Sequence, residues 1–202
     1  MKSRIIIALA AVAMASPAQA QAHEQLKAQC EGEATNDQRI AACDALIAAN
    51  RGPQELAVAY YKRGNAYGDK GETEHAIADY TQALQLTPDY VAALNNRALA
   101  YARLRQYDRA LSDYDLAIHF WPEFALALGN RGTLHAERGR HELAFKDFDL
   151  AIRVEPGYAW VYYLRGNLHH TLRQFERAIQ DLNQAIHLAP EFARAWDRRG
   201  VA

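Results

Sequence analysis

Four prolines recur at intervals of 34 residues, and this period is the strongest constraint on how the chain can fold. It divides most of the sequence into four copies of one pattern, at 57–90, 91–124, 125–158 and 159–192. The prolines are Pro88, Pro122, Pro156 and Pro190. A period of this length indicates a stacked array of small units, none of which can bury its apolar face alone. We therefore expect a repeat array here and no single enzyme-like core.

Several positions keep their residue type in all four copies. The eighth residue is small, the twentieth and twenty-seventh are alanine, and the twenty-fourth is bulky and apolar. In that order the residues are Gly64, Ala98, Gly132 and Gly166; Ala76, Ala110, Ala144 and Ala178; Ala83, Ala117, Ala151 and Ala185; and Tyr80, Tyr114, Phe148 and Leu182. The spacing and the residue types closely resemble the tetratricopeptide repeat family over 57–192.

Each copy contains two amphipathic stretches with a break between them, as at Gly71 in the first copy. Apolar residues recur every three or four positions, which predicts helices with one buried face. Two helices that cross closely need small side chains, such as Gly64 and Ala76, where their backbones approach. We therefore expect an all-α fold. It is an α-solenoid of stacked antiparallel helix pairs with four full 34-residue repeats, a degenerate N-terminal hairpin and a short C-terminal capping helix over 193–202.

The segment before the repeats has the features of a bacterial secretory signal peptide. Two basic residues precede the apolar run 5–15, which is too short for a stable membrane anchor, and small residues follow it. These flanking residues are Lys2 and Arg4, then Ala18 and Ala20. We predict that 1–20 is removed by cleavage after Ala20, with a weaker alternative site after Ala22. The mature protein would then be periplasmic or secreted.

Cys30 and Cys43 are the only two cysteines of the chain. Extending the repeat register backwards places a degenerate copy at 23–56, inside an expected N-terminal capping hairpin at 21–56. In that register the two thiols face each other across the hairpin, and an oxidising compartment favours a disulfide between them. Closing this loop suggests about 3 kcal/mol of stabilisation. The alternative, a redox pair, requires a closer Cys-x-x-Cys spacing.

Charge and histidine positions exclude several classes of ligand. Loss of the two basic residues of 1–20 reduces the 23 basic residues to 21, against 24 acidic ones, so the mature chain carries a net charge of −3. That balance predicts no nucleic-acid partner. His169 and His170 are adjacent, and adjacent residues on a helix point in different directions. We therefore expect no metal site and no cofactor.

Arginine and aspartate recur in two columns that are 16 residues apart. The arginines are Arg63, Arg97, Arg131, Arg165 and Arg199, and the aspartates are Asp79, Asp113, Asp147 and Asp181. Because the two stretches of a repeat run antiparallel, the columns lie close together. We predict a ladder of Arg–Asp pairs, within a repeat or between neighbours. The alternative is capture of an anion by the row of arginines.

The resemblance implies that the first helices of the repeats line a concave groove that holds a peptide or helix of another protein. The expected groove residues are Tyr61, Lys62, Asn65, Asn95, Asn96, Leu99, Arg103, Asn130, Trp160, Tyr163 and Asn167. Carboxamides pair with an extended peptide backbone, and aromatic side chains supply rigid contact area. The alternative is that these are solvated helix positions.

Some tetratricopeptide modules grip a C-terminal carboxylate with lysine and asparagine. Here Lys62, Asn65 and Asn96 are available, but Tyr61 stands where that clamp has lysine, and Glu137 would repel a carboxylate. A partner segment of mixed polarity is the better match.

We expect a non-catalytic protein–protein interaction scaffold in the bacterial envelope, because no motif of an enzyme stands outside the repeat pattern. One alternative is a self-assembling subunit that associates through its C-terminal end. Another is a substrate-capturing accessory subunit of an envelope enzyme complex.

Overall fold

The computed structural model describes residues 16–32 and 34–201, and these residues form eleven α-helices and no strand. The helices are α1 Pro17–Glu31, α2 Asn36–Ala49, α3 Pro53–Asp69, α4 Thr73–Leu86, α5 Val91–Arg103, α6 Tyr107–Phe120, α7 Ala125–Glu137, α8 His141–Val154, α9 Ala159–Thr171, α10 Phe175–Leu188 and α11 Ala193–Gly200. No helix in this part of the chain combines the length and the apolar character needed to cross a membrane.

Consecutive helices pack as pairs, α3 with α4, α5 with α6, α7 with α8 and α9 with α10. Each second helix also packs against the first helix of the next pair, and the first helices α3, α5, α7 and α9 contact one another in sequence. This arrangement confirms the predicted all-α solenoid. The pairs are called repeats 1 to 4 below.

Small residues lie where the helices of a pair cross. A Cβ atom added to Gly132 would stand 2.7 Å from the Phe148 ring, and one added to Gly64 would stand 2.8 Å from the Tyr80 ring. Ala144, next to this crossing in repeat 3, is fully buried. The predicted role of the small residues is therefore confirmed, because larger side chains would hold the helices apart.

Two turn types separate the helices. Within repeats 1 and 3, the turn passes through Gly71 and Gly139 in the left-handed backbone region, at φ values of 80° and 71°. Glycine adopts this region without steric cost. Between repeats, each proline lies in the turn: α4 ends at Leu86, and α5 begins at Val91 after Pro88. The proline thus follows the second helix and separates it from the next one.

The N-terminal hairpin contains the predicted disulfide. Cys30 of α1 and Cys43 of α2 are bonded, with their Cα atoms 5.0 Å apart, and both are fully buried. Leu46 and Ala59 pack against them, so the bridge also contacts α3. This finding confirms the structural disulfide.

Helix bounds at the N-terminus differ from the expected divisions of the chain. Pro53 begins α3, which therefore crosses the expected boundary between 21–56 and 57–90. Proline is favoured in the first turn of a helix, where its missing N–H group costs nothing. The helix α1 runs without a break past Ala20, whereas the apolar run 5–15 lies outside the described residues.

Candidate partner-binding groove

The first four members of the arginine column form internal ion pairs. Each of them donates from Nε and Nη2 to both oxygens of the aspartate 16 residues later, at 2.6–2.9 Å. The fifth, Arg199, donates from Nη1 to Asn183 Oδ1 at 2.8 Å. The pairs are Arg63–Asp79, Arg97–Asp113, Arg131–Asp147 and Arg165–Asp181. The aspartates are 3–6% exposed. Hydrogen bonding to Asp79 raises the pKa of the Arg63 guanidinium.

The third donor of each arginine reaches the preceding helix pair. Arg131 Nη1 donates to Asp115 at 2.7 Å, and Arg97 Nη1 donates to Thr81 at 3.1 Å. The predicted ladder therefore forms both within and between repeats. Because these donors are satisfied internally, the alternative of anion capture by a row of arginines is wrong.

Asparagines connect the first helices along the groove side. Asn96 Nδ2 of α5 donates to Asn65 Oδ1 of α3 at 2.9 Å, and to the Tyr61 hydroxyl at 3.4 Å. The Tyr80 hydroxyl also donates to Asn65 Oδ1, at 2.8 Å. These hydrogen bonds help to hold repeats 1 and 2 together.

The structure corrects the position of Asn95. This residue is only 2% exposed, so its side chain does not lie on the open surface of the groove. Its Nδ2 donates to Asn96 Oδ1 at 3.0 Å, and its Oδ1 accepts from Asn130 Nδ2 at 2.9 Å. Asn95 is buried because α5 lies between α3 and α7, and it links Asn96 of α5 to Asn130 of α7.

At each end of the groove, a separate group of aromatic residues packs together. The Tyr61 ring lies 4.8 Å from the Tyr90 ring, and burial raises the pKa of Tyr90 to about 12. In repeat 4 the Tyr163 ring lies 5.1 Å from Trp160 and 4.9 Å from Phe192. The predicted groove residues Tyr61, Trp160 and Tyr163 are therefore half-buried and structurally constrained.

Leu99 and Arg103 are the most open of the predicted residues. Leu99 is 38% exposed, and Arg103 is exposed with its Nη1 3.4 Å from the Gly68 carbonyl oxygen. No carboxylate within the described residues pairs with Arg103. Lys62 is half-buried and likewise forms no ion pair in this part of the chain.

A cavity of about 280 Å³ lies between α3 and α5 and is called the first cavity. Its lining includes Asn65, Asp69, Tyr80, Asn96, Leu99 and Arg103, together with Arg39 from α2. Arg39 Nη1 lies 3.0 Å from an Asp69 carboxylate oxygen. Sequence reasoning missed Arg39, because only the packing of α2 brings it beside the repeats.

A second cavity, also about 280 Å³, lies between α7 and α9. Its lining includes Thr133, Glu137, His141, Phe148, Leu164, Asn167, Leu168 and Thr171. Thr133, Glu137 and Phe148 lie two repeats after Asn65, Asp69 and Tyr80, so the two cavities are equivalent positions of the array. Of the predicted groove residues, Asn167 lies here. The repeat register could have identified Thr133, Glu137 and Phe148, because they repeat the positions of Asn65, Asp69 and Tyr80.

A third cavity, of about 970 Å³, is lined mainly by α8 together with Arg131, His135 and Arg165. Burial lowers the pKa of His135, whose Nδ1 atom is buried with no hydrogen-bond partner among the described residues. The arginines in this lining belong to the ladder.

Comparison with known proteins supports the repeat assignment. Family models described as "TPR repeat" and "Tetratricopeptide repeat" match residues 64–104, 91–121 and 159–192. No curated protein matches the chain by sequence.

A tetratricopeptide repeat protein from Parabacteroides merdae aligns with a TM-score of 0.72 at 22% identity, over 90% of this chain and 72% of the other. YrrB, described as a TPR protein with an unusual peptide-binding site, aligns with a TM-score of 0.62 at 21% identity, over 90% and 97%. The first TPR of Spaghetti (RPAP3), bound to the HSP90 peptide SRMEEVD, aligns with a TM-score of 0.57 at 27% identity, over 59% and 98%.

The repeated columns, the stacked helix pairs and the three family-model matches lead to one assignment: this chain is a tetratricopeptide repeat protein.

Proposed function

We propose that this chain is a non-catalytic protein–protein interaction scaffold that holds a peptide or helix of another protein in the groove formed by α3, α5, α7 and α9. The observation that carries this proposal is the pair of equivalent cavities in the groove, each with polar side chains around an aromatic floor. Binding pockets commonly combine an apolar lining with a few polar groups that orient the ligand.

The similar structures support the same function. YrrB is described as having a peptide-binding site, and the Spaghetti (RPAP3) repeat is bound to a peptide. In the groove of this chain, Leu99 and Arg103 are open to a partner. No catalytic role is proposed, since the ladder arginines and aspartates pair with each other.

We further propose that the scaffold works in the bacterial envelope. A buried disulfide is typical of proteins in oxidising compartments, and the predicted signal peptide supplies the route of export. Cleavage after Ala20 would remove the first turn of α1 but retain His23, which is 5% exposed and lies 3.0 Å from Glu55. The shortened helix would also retain Cys30, so its attachment to α2 and α3 is preserved.

The test is capture of a partner from an envelope extract of the source organism, with the chain from residue 21 onwards as bait. The groove variant is Leu99→Asp with Arg103→Glu, because both side chains are exposed. Asn96 and Tyr61 are unsuitable targets, since they connect α3 to α5. The matched control is Leu116→Asp with Arg153→Glu, which makes the same charge changes at exposed positions of the second helices.

We expect a protein that is captured by the parent and by the control but lost from the groove variant. Circular dichroism must show that all three baits are folded. Equal capture by all baits, or loss from the control alone, would contradict groove binding and move the interaction to another face. If no partner is captured and the bait elutes as a concentration-dependent oligomer, self-association replaces the proposal.

A further inference from the structure

The second cavity has a floor suited to an aliphatic chain. Phe148, Leu164 and Leu168 line it, and Phe148 and Leu168 are buried core residues. Lysine packs its methylene chain along apolar surface while keeping its ammonium group in a polar setting. The floor alone would accept any apolar side chain, so the polar groups at the rim determine the selectivity.

Those rim groups are mainly hydrogen-bond acceptors. The Thr133 hydroxyl donates its hydrogen to the Gly129 carbonyl at 2.9 Å, and the Thr171 hydroxyl donates to the Asn167 carbonyl at 3.0 Å. Both hydroxyl oxygens retain lone pairs for a ligand. Glu137 is exposed and forms no ion pair within the described residues. The rim therefore favours a cationic donor over an anion.

Two residues that line this cavity each have a buried polar atom without a hydrogen-bond partner in residues 16–32 and 34–201. These atoms are Asn167 Oδ1 and His141 Nδ1. Buried polar atoms are nearly always paired, because leaving them unpaired costs free energy. An ammonium group carries three donors, so it could bond to the Asn167 oxygen and to the Glu137 carboxylate together.

The first cavity has a carboxylate at the place equivalent to Glu137, namely Asp69, but this carboxylate is paired with Arg39 at 3.0 Å. Arg39 and Arg103 lie at its rim, and Arg39 Nε is a buried donor without an acceptor among the described residues. The two cavities have equal volumes of about 280 Å³. They therefore differ in the arginine residues beside the carboxylate, which are absent from the described lining of the second cavity, and not in their volume.

We propose that the second cavity is a binding site for a lysine side chain of the partner segment. The ammonium lies between the Glu137 carboxylate and Asn167 Oδ1, and the methylene chain packs on Leu164, the half-buried member of the floor. This inference rests on the proposed function, because it specifies the chemistry of the partner that the groove holds. It also places one basic residue of the segment between repeats 3 and 4.

The test uses n-butylammonium chloride as a probe that reproduces the lysine side chain. The probe is titrated into the ¹⁵N-labelled chain at constant ionic strength, and the side-chain amide signals of Asn167 are followed by NMR. Butan-1-ol has the same chain without the charge, and sodium butyrate has the opposite charge. We expect a saturable shift with n-butylammonium, a much weaker one with butan-1-ol and none with butyrate.

Glu137→Gln is the test variant, and Glu142→Gln is its charge-matched control, an exposed residue outside the cavity lining. Because Glu137→Gln loses one exposed ion pair, its dissociation constant for n-butylammonium should be larger by about 2- to 5-fold. The dissociation constant of Glu142→Gln should be unchanged. The absence of a saturable shift, equal binding of butan-1-ol, or equal effects of the two variants would overturn the proposal. Because no protein partner is present, failure here is distinct from failure of the capture experiment.

Discussion

Arg97 binds Asp113 through two parallel hydrogen bonds, from Nε to Oδ2 at 2.7 Å and from Nη2 to Oδ1 at 2.8 Å. The same guanidinium donates from Nη1 to Thr81 in the preceding pair. One arginine thus joins the two helices of repeat 2 and ties them to repeat 1. The rigid fork of the guanidinium suits this geometry, which a lysine could not reproduce.

Removal of Arg97 should therefore destabilise the array strongly. Arg97→Ala leaves Asp113, which is 5% exposed, without its partner. Breaking a buried ion pair in this way costs about 3–5 kcal/mol. Urea unfolding followed by circular dichroism measures the change. Arg177→Ala is the control, because Arg177 is exposed, and it should change the free energy of unfolding by about 0.5 kcal/mol or less. A similar decrease in the free energy of unfolding of both variants would contradict a stabilising role for the Arg97–Asp113 pair.

Ala144 and Leu143 provide a matched test of the helix crossing. Ala144→Leu introduces bulk at a fully buried position beside Gly132 and should cost about 1–3 kcal/mol by overpacking. Leu143→Ala changes an adjacent side chain that is 42% exposed, so a change of about 0.5 kcal/mol or less is expected. Thermal and urea unfolding report both effects. Unfolding curves for Ala144→Leu that match the parent would show that the crossing can widen freely.

The Cys30–Cys43 disulfide should stabilise the N-terminal hairpin specifically. Replacing both residues by alanine removes a cross-link with a sequence separation of 13 and should cost about 3 kcal/mol. Hydrogen exchange is the appropriate measurement, since it reports on each helix separately. Exchange should accelerate in α1 and α2 and stay near the parent value in α7 and α8. Uniform acceleration along the chain would instead show that the bridge stabilises the whole array.

His135 should make the free energy of unfolding depend on pH. Burial lowers the pKa of its imidazole, with an added contribution from Arg131 and Arg140, while Asp147 and Asp115 oppose the shift. In the unfolded chain the histidine pKa is about 6.5. As the pH falls through that value, the unfolded state takes up a proton before the folded state does. The free energy of unfolding therefore decreases on the acid side.

His135→Tyr tests this dependence, because tyrosine occupies the same column at Tyr67 and Tyr101. When the pH is lowered from 7.5 to below about 6.5, the free energy of unfolding should decrease less in the variant than in the parent. Urea unfolding at each pH measures this change. His187→Gln, at an exposed position, serves as the control and should keep the parent's dependence. Identical pH profiles for the parent and His135→Tyr would exclude His135 as the source.

The asparagines show where prediction from sequence ends. Asn95 and Asn96 are adjacent and both fit a description of the groove face, yet Asn95 is buried and Asn96 is half-buried. Adjacent helical residues point about 100° apart, so which of them is buried depends on how α5 packs between α3 and α7. That packing is not encoded in the periodicity of a single helix.

The sequence alone determined the features that repeat. The helix pairs, the small residues at the crossings and the Arg–Asp ladder follow from residue types at constant spacing, because each repeat solves the same packing problem. The disulfide followed from two cysteines in the register of a helical hairpin. These relationships are local, within one pair or between neighbours.

Only the tertiary structure decided which polar groups remain free. Arg39 reaches the first cavity from α2, and Asn167 lines the second cavity and has a side-chain oxygen without a hydrogen-bond partner among the described residues, because several helices enclose each space. Whether a side chain is satisfied internally or left for a ligand depends on neighbours that lie far apart in the chain. The repeat pattern therefore specifies the scaffold, and the three-dimensional packing specifies the surface that it offers.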